Sequence, residues 1–194
     1  MAEIKSALEI ALEKADKLGK LDKSKIEEQK WIDEGKKRAA KYLNNPEQTD
    51  LSSLLADAPP QQIQKILQGV MDVLLRNIIL PREEEQWTLI KKAMNGIRTV
   101  KGSTADQALA QIEQLLHAYQ QTRNQYFEQI KAQMQGRLGD LKQAVAQQYG
   151  MGMAEQLDVE AIPEFQQEWA RISSEIQSQF EQQLHPLKEY LRQL

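Results

Sequence analysis

Apolar side chains recur three and four residues apart along nearly the whole chain, and this spacing restricts the fold more than any other feature. One stripe, interrupted only at Arg123, extends from Leu109 to Val145, and a second extends from Phe165 to Leu194. Steps of three and four residues place side chains on one face of an α-helix. No window shows the alternation of a half-buried strand. The sequence therefore predicts an all-α protein.

The N-terminal half is predicted to contain four or five shorter helices, whose ends are indicated by glycine, proline and capping residues. Gly19 is expected to end the first helix, and a capping box beginning at Ser24 to start the second. The most apolar segment is expected to be a helix with Pro59-Pro60 in its first turn and Leu80 at its end, before Pro81. The other expected features are a stop at Asn44, a cap at Asp50 and a helix start at Glu83-Glu84-Glu85.

The clearest boundary in the chain is Val100-Lys101-Gly102. It predicts two domains: a compact helical bundle over residues 1–102 and a long antiparallel helical hairpin, similar to a coiled coil, over residues 103–194. The first hairpin helix is expected to begin at a capping box opened by Ser103 and to extend about 70 Å at 1.5 Å per residue. The tip of the hairpin is expected near residues 150–162.

Three residues are expected to disturb the two hairpin helices. Gly136 and Gly139 each cost roughly 1 kcal/mol relative to alanine in a helix interior. They indicate either a kink or the close approach of another backbone. Pro186 lacks an amide hydrogen and its ring collides with the preceding turn, so a kink or a break is expected there.

Composition excludes several kinds of chemistry. The chain has no cysteine and two histidines, which excludes thiolate metal sites, a cysteine nucleophile and a three-histidine zinc site. The formal charge of −3 argues against binding to nucleic acid or to an anionic membrane. No segment reaches the roughly 20 apolar residues of a membrane span, and no secretory signal is visible. We therefore expect a cytoplasmic protein.

Each histidine follows a glutamate by four residues, as Glu113–His117 and Glu181–His185. Two such pairs facing each other could hold a divalent metal, but di-metal helical bundles use Glu-x-x-His, which is one residue shorter. With the turn near residues 150–162, His185 would lie opposite about residue 128, about 16 Å from His117 along the helix axis. Two separate surface pairs are expected, and no catalytic, cofactor-binding or metal-binding residue is predicted.

Two charged clusters and the tryptophans are the remaining candidates for a site. Glu83-Glu84-Glu85 could form a carboxylate cluster, although acids also favour a helix N-terminus for electrostatic reasons. Lys36-Lys37-Arg38 with Lys41 could contact phosphate, but acidic residues precede it and a solvated helix face is favoured. The three tryptophans lie on or beside apolar stripes, where packing is the usual role of this residue type. They are Trp31, Trp87 and Trp169.

Two short segments near the start of the chain carry a resemblance to a known family. They are Ile4-Lys5-Ser6-Ala7-Leu8-Glu9-Ile10-Ala11-Leu12 and Glu34-Gly35-Lys36-Lys37-Arg38-Ala39-Ala40-Lys41-Tyr42-Leu43. Together they resemble the opening of an uncharacterised bacterial all-helical protein family, over about the first 45 residues. The resemblance implies a bacterial, cytoplasmic protein of unknown function, and it transfers no functional residue.

Narrow apolar stripes let two long helices pack together and leave most of each helix in solvent, which a compact enzyme rarely tolerates. The leading hypothesis is a non-catalytic adaptor or scaffold whose hairpin binds a protein partner. Self-association as a homodimer is also expected, because a two-helix hairpin buries only one face of each helix. The alternative is a small-molecule- or metal-binding bundle with its site in residues 1–102. A deep polar pocket that holds several of the following residues would favour it: Glu83, Glu84, Glu85, Lys91 and Lys92.

Overall fold

A computed structural model describes residues 7–44, 50–155 and 157–194, with side chains from residue 24 onward except at 149, 153 and 154. Within these ranges the chain forms helices, turns and connections and no strand, so the predicted all-α class is confirmed. Two short 3-10 turns, Gly102–Ala105 and Val159–Ala161, accompany the helices. The helices are α1 (Ala7–Asn44), α2 (Leu51–Leu55), α3 (Ile63–Arg76), α4 (Gln86–Lys101), α5 (Asp106–Tyr149), α6 (Met151–Glu155) and α7 (Pro163–Gln193).

The chain divides into two compact units. The first unit consists of Met1–Ile78 and Thr88–Ser103, and the second of Ile79–Trp87 and Thr104–Leu194. The segment Ile79–Trp87 thus belongs to the second unit although the chain on both sides of it belongs to the first. Whether 1–102 and 103–194 are separate domains stays a prediction.

The first unit is organised around the contact between α1 and α3. A Cβ atom built on Gly35 of α1 would lie 2.8 Å from the carbonyl carbon of Ile66 in α3, and closer still to its oxygen. A Cβ atom on Gly69 of α3 would meet the carbonyl group of Ile32 in the same way. Each helix therefore places a glycine against the backbone of the other, and the two backbones approach more closely than any side chain would allow.

Helix α4 completes the core of the first unit. The hydroxyl of Tyr42 donates a 3.0 Å hydrogen bond to the carbonyl of Lys92, and the Lys92 ammonium lies 5.0 Å from the centre of the Tyr42 ring. The buried residues of this core come from α1, α2, α3 and α4 and include Ala39, Leu51, Ile66, Val70, Leu74, Ile90, Ala93 and Ile97.

The predicted break in the N-terminal helix is wrong. α1 is continuous from Ala7 to Asn44, so Gly19 does not stop a helix and Ser24 does not begin one. A single interior glycine costs about 1 kcal/mol, which good helix formers on both sides offset. The described part of α1 reaches Asn44, and the predicted stop at Asn44-Asn45-Pro46 extends into residues 45–49, which lie outside the described residues. The predicted cap at Asp50 is confirmed, since its carboxylate accepts a 3.3 Å hydrogen bond from the amide of Ser52.

The predicted helix after Pro59-Pro60 is shorter than expected. The carbonyl of Pro59 accepts a 2.9 Å hydrogen bond from the amide of Gln62 in a separate turn, and α3 begins only at Ile63. It ends at Arg76 rather than at Leu80, with Asn77 as its C-cap, whose side-chain amide donates a 2.8 Å hydrogen bond to the carbonyl of Val73. The three glutamates expected at the next helix start precede α4, which begins at Gln86.

In the second unit α5 is one uninterrupted helix of 44 residues. It begins at Asp106 with Ala105 at its N-cap, so the capping box expected at Ser103 is wrong. A methyl group added at Gly136 or Gly139 would meet no atom within 4 Å beyond the neighbouring turns of its own helix. The expectation of a close backbone approach at these two glycines is therefore wrong.

The last helix begins as the sequence predicted and continues further than it predicted. Pro163 stands at the first position of α7, where its missing amide hydrogen has no cost. The helix passes through Pro186 without a break, since the buried stripe on both sides of that residue holds it in place. Leu184 and Leu191 are both buried.

Helices α5 and α7 form the predicted antiparallel hairpin. The Phe127 ring lies edge-on to Phe165 with centroids 5.4 Å apart, and Tyr119 lies edge-on to Phe180 at the same separation. Residue numbers therefore rise on one helix as they fall on the other. A second small core closes this end of the pair and contains Ile130, Val159, Ile162 and Phe165.

The register of the hairpin differs from the expected one. α6 and the turn Val159–Ala161 pack back against α5, so the chain reverses over part of the helix length before α7 begins. His185 consequently lies opposite about residue 114 instead of residue 128, because it follows Phe180 by five residues and Phe180 packs on Tyr119. The expected offset of 16 Å between His117 and His185 is wrong for this reason, and this register gives an offset of about 5 Å along the helix axis.

Candidate functional site

A segment of nine residues packs on the hairpin within the second unit. In this segment, Ile79–Trp87, the side chains of Leu80, Pro81 and Trp87 are buried. The indole nitrogen of Trp87 donates a 3.0 Å hydrogen bond to Gln120. Its ring stacks on His117 with centroids 4.2 Å apart and planes 20° apart. The first histidine is therefore a packing partner of a tryptophan.

Polar contacts hold the same segment along both hairpin helices. Gln120 donates from its amide nitrogen to Glu84 at 3.1 Å, and the Arg82 guanidinium donates to Gln177 at 2.8 Å. Arg123 donates to the carbonyl of Arg82 at 3.4 Å, and its guanidinium lies 5.2 Å from the centre of the Trp169 ring. Arg123 interrupts the apolar stripe of α5 because it covers this tryptophan and reaches the segment beside it.

An open groove of about 490 Å³ lies between α5 and α7. Four of its lining residues come from α7, and Met134 of α5 forms the opposite side. Met134 is half-buried and packs against the small core around Ile130. The α7 residues stand at positions i, i+3, i+4 and i+7, and are Glu164, Gln167, Glu168 and Arg171.

The α7 side of the groove is acidic. Arg171 donates to Glu168 at 2.7 Å and to Glu175 at 2.8 Å. The hydrogen bond from Arg171 lowers the pKa of Glu168, and the hydrogen bond to Glu168 with the charge of both glutamates raises the pKa of Arg171. Between α5 and the turn Val159–Ala161, a 3.1 Å hydrogen bond to Glu160 raises the pKa of Lys131. Residues 155–181 contain seven Asp and Glu and only one Lys or Arg.

The histidines predicted as surface residues are exposed. His117 contacts Trp87, as described above. In the part of the chain that the structure describes, no three His, Asp or Glu side chains lie together as a metal ion would require.

The acidic cluster and the lysines after it belong to different units. Glu83, Glu84 and Glu85 are exposed and belong to the second unit, whereas Lys91 and Lys92 belong to the first.

Arg38 in the basic cluster has a structural role. It donates 2.6 Å hydrogen bonds to the carbonyl of Leu54 and to Asp57, and a 3.1 Å bond to Glu34. Its side chain is only 14% exposed. Lys36 pairs with Asp33 at 2.9 Å, and this bond is the main cause that lowers the pKa of Asp33. The bonds from Arg38 to Leu54 and Asp57 hold α1 to α2 and to the residues directly after it.

The groove was missed by sequence reasoning, and part of it could have been found. The sequence shows four polar residues at positions i, i+3, i+4 and i+7 beside the apolar stripe of α7, namely Glu164, Gln167, Glu168 and Arg171. Placing Met134 opposite them requires the true hairpin register, which depends on how the connection between α5 and α7 packs. In the sequence of the segment Ile79–Trp87, only Trp87, which follows Pro81 and belongs to a residue type that usually packs in a core, indicated that the segment is buried.

Fold and site define an all-helical protein built on a long antiparallel hairpin with an acidic groove on one side. The chain belongs to a family of unknown function, DUF6657, whose model matches residues 52–193. Membership of an uncharacterised family is thus confirmed, through these residues rather than through the opening segments that carried the resemblance. No curated protein and no solved structure matches the chain. Among the described helices, none combines the length and apolar character needed to cross a bilayer.

Proposed function

We propose that this protein is a non-catalytic adaptor or scaffold that binds a protein partner through the α5–α7 hairpin. The observation that carries the proposal is the apolar surface of the second unit. Each hairpin helix buries one stripe, and large apolar side chains remain on the solvent side. These are Tyr126 (43% exposed), Leu141 (37%), Met151 (71%), Tyr190 (53%) and Leu194 (42%). Tyrosine and methionine are enriched at protein interfaces, and exposed apolar patches mark such sites.

The charged groups of the groove support a binding role over a catalytic one. A catalytic site holds titratable side chains together in a recess that excludes water. Glu164 and Arg171 are exposed on a helix face, and Arg171 is engaged by Glu168 and Glu175. Such a surface favours recognition of another molecule by shape and charge.

The test is affinity capture from the native cell with the full chain and matched variants. Leu141→Glu and Tyr126→Glu place a charge on the hairpin surface. Leu89→Glu is the control, because Leu89 is exposed to the same degree, at 40%, but belongs to the first unit. A partner retained in fixed ratio by the wild type and by Leu89→Glu, and lost from the hairpin variants, supports the proposal. Loss from all three variants, or no partner in fixed ratio, refutes it.

We also propose that a second copy of the chain is one such partner, so that the protein forms a homodimer. The support is the single buried face of each hairpin helix, which leaves area for a self-complementary patch. Sedimentation at micromolar concentration should give about twice the chain mass of 22.3 kDa. A mass that stays at 22.3 kDa on concentration refutes the dimer and leaves the surface to a foreign partner. A bacterial, cytoplasmic setting is part of the same proposal and rests on the resemblance described above.

A further inference from the structure

The groove between α5 and α7 has a shape and a charge that suit the binding of one more helix. We infer that it receives an amphipathic helix of a partner protein, with an apolar side chain in the groove and lysine or arginine side chains beside it. This inference rests on the proposed function, and it names the chemistry of the partner.

The spacing of the groove residues supports a helical occupant. Side chains at i, i+3, i+4 and i+7 of one helix surround the hole that accepts a side chain of a neighbouring helix. Glu164, Gln167, Glu168 and Arg171 have this spacing on α7 and line the groove together. In this region α7 already packs on α5 with its stripe at Phe165 and Trp169, so these four residues lie on a second face. That face is the one a third helix would pack against.

The floor of the groove supplies an apolar contact. Met134 is half-buried, with one side on the core around Ile130 and Phe165 and the other on the groove. Methionine adapts its shape to different partners because it is unbranched and polarisable. An apolar side chain that enters the groove would therefore cover Met134 and complete the burial of its thioether.

Charge determines which helix fits. Arg171 is held between Glu168 and Glu175, so its charge is already balanced, and Glu164 has no ion-pair partner among the described residues. The flank of the groove is thus net negative and complements lysine or arginine on the partner. A second copy using the same face would place carboxylates against carboxylates, which disfavours it as the occupant. The proposed homodimer must then use another surface.

The experiment uses the full chain with carbon-13 in its methionine methyl groups. The probe is a synthetic helical peptide with a leucine stripe flanked by lysines, and the matched peptide carries glutamate at each lysine. We expect the lysine peptide to shift the methyl resonance of Met134 at saturation. The methyl groups of Met71 and Met94, buried in the first unit, should not move. The glutamate peptide should bind at least tenfold more weakly.

Charge variants on one helix provide the control. Glu164→Gln removes a groove charge and Glu164→Lys reverses it, and because this position is exposed, helix content is a sufficient check of folding. We expect Glu164→Gln to weaken binding of the lysine peptide about threefold and Glu164→Lys to weaken it at least tenfold. Glu181→Lys makes the same reversal on α7 outside the groove, where Glu181 accepts a hydrogen bond from Gln177, and should change binding less than twofold.

Three results would overturn the inference: a Met134 methyl that does not move, equal binding of both peptides, or equal weakening by Glu164→Lys and Glu181→Lys. The last would show general attraction between a basic peptide and an acidic protein. If a partner is captured through Leu141 and Tyr126 but the methyl resonance of Met134 does not move, the proposed function holds and only the role of the groove is refuted. If the captured partner is also lost from the Leu89→Glu control, the proposed function itself is refuted.

Discussion

Replacing Gly35 by alanine tests the close contact between α1 and α3. An added methyl group would collide with the carbonyl of Ile66, and the colliding atoms belong to backbone that cannot rotate away. Restoring normal contact requires the two helices to separate by about 1 Å. Overpacking of this kind costs roughly 1–3 kcal/mol or more, against a gain of about 1 kcal/mol in helix propensity. The collision involves backbone and lies at the upper end of this range, so we expect Gly35→Ala to lower the free energy of unfolding by about 2 kcal/mol.

A series of alanine substitutions separates the collision from propensity. At Gly136 an added methyl meets nothing, so Gly136→Ala should raise the free energy of unfolding by about 0.5–1 kcal/mol. At Gly96 it would lie 3.0 Å from side-chain atoms of Leu74 and Tyr42, which can adjust, so the effect should fall between the two. Urea unfolding followed by far-ultraviolet circular dichroism measures all three.

The reciprocal glycine gives a sharper form of the test. Gly69→Ala should cost about as much as Gly35→Ala, since its methyl would meet the carbonyl of Ile32. Once either substitution has separated the helices, the second should cost less, so the double variant should lose at least about 1 kcal/mol less than the sum of the two. Additive losses, or equal effects at Gly35 and Gly136, would show that the backbone contact does not determine stability.

Further substitutions test the other contacts. Arg38→Gln should cost about 1.5–3 kcal/mol, because it removes charge-assisted hydrogen bonds of a largely buried guanidinium, whereas Lys37→Gln, at an exposed position, should stay within about 0.5 kcal/mol; urea unfolding measures both. Burial, and then the charge of Asp50, raise the pKa of Tyr42, so the unfolded state loses this proton first as the pH rises. Stability should therefore fall above about pH 10, and less steeply in Tyr42→Phe, as urea midpoints at several pH values would show. His117→Ala should lower the free energy of unfolding by about 1 kcal/mol through the lost stack on Trp87, whereas His185→Ala should leave it unchanged. Elemental analysis should find the same metal content in both variants as in the wild type. A stoichiometric metal lost with either variant would contradict the prediction that these histidines bind no metal.

Helix type and the pairing of the long helices could be predicted because they depend on local periodicity. The stripes through Leu109 and Phe165 each continue over many turns, and burial of such a stripe decides the state of the whole segment. Starts and stops with a stereochemical cause were also predictable, as at Pro163 and Asp50.

Features that depend on contacts between distant segments could not be predicted. Gly136 resembles Gly35 in being a single glycine inside a helical stretch, yet of the two only Gly35 has another helix backbone against it, and no local pattern marks that difference. The hairpin register depends on the connection between α5 and α7 packing back on α5, so Met134 could not be placed opposite Glu164. The groove is a property of that register.

The path of the chain through Ile79–Trp87 has a consequence for how the protein can be taken apart or rearranged. A single cut between residues 102 and 103 would leave Leu80, Pro81 and Trp87 on one fragment and their partners on the other. Each fragment would then lack one side of these contacts. The family match over 52–193 starts inside the first unit and includes both passages of the chain through the second. A fragment that keeps the whole second unit must therefore begin before Ile79 and include the intervening residues 88–103 of the first unit.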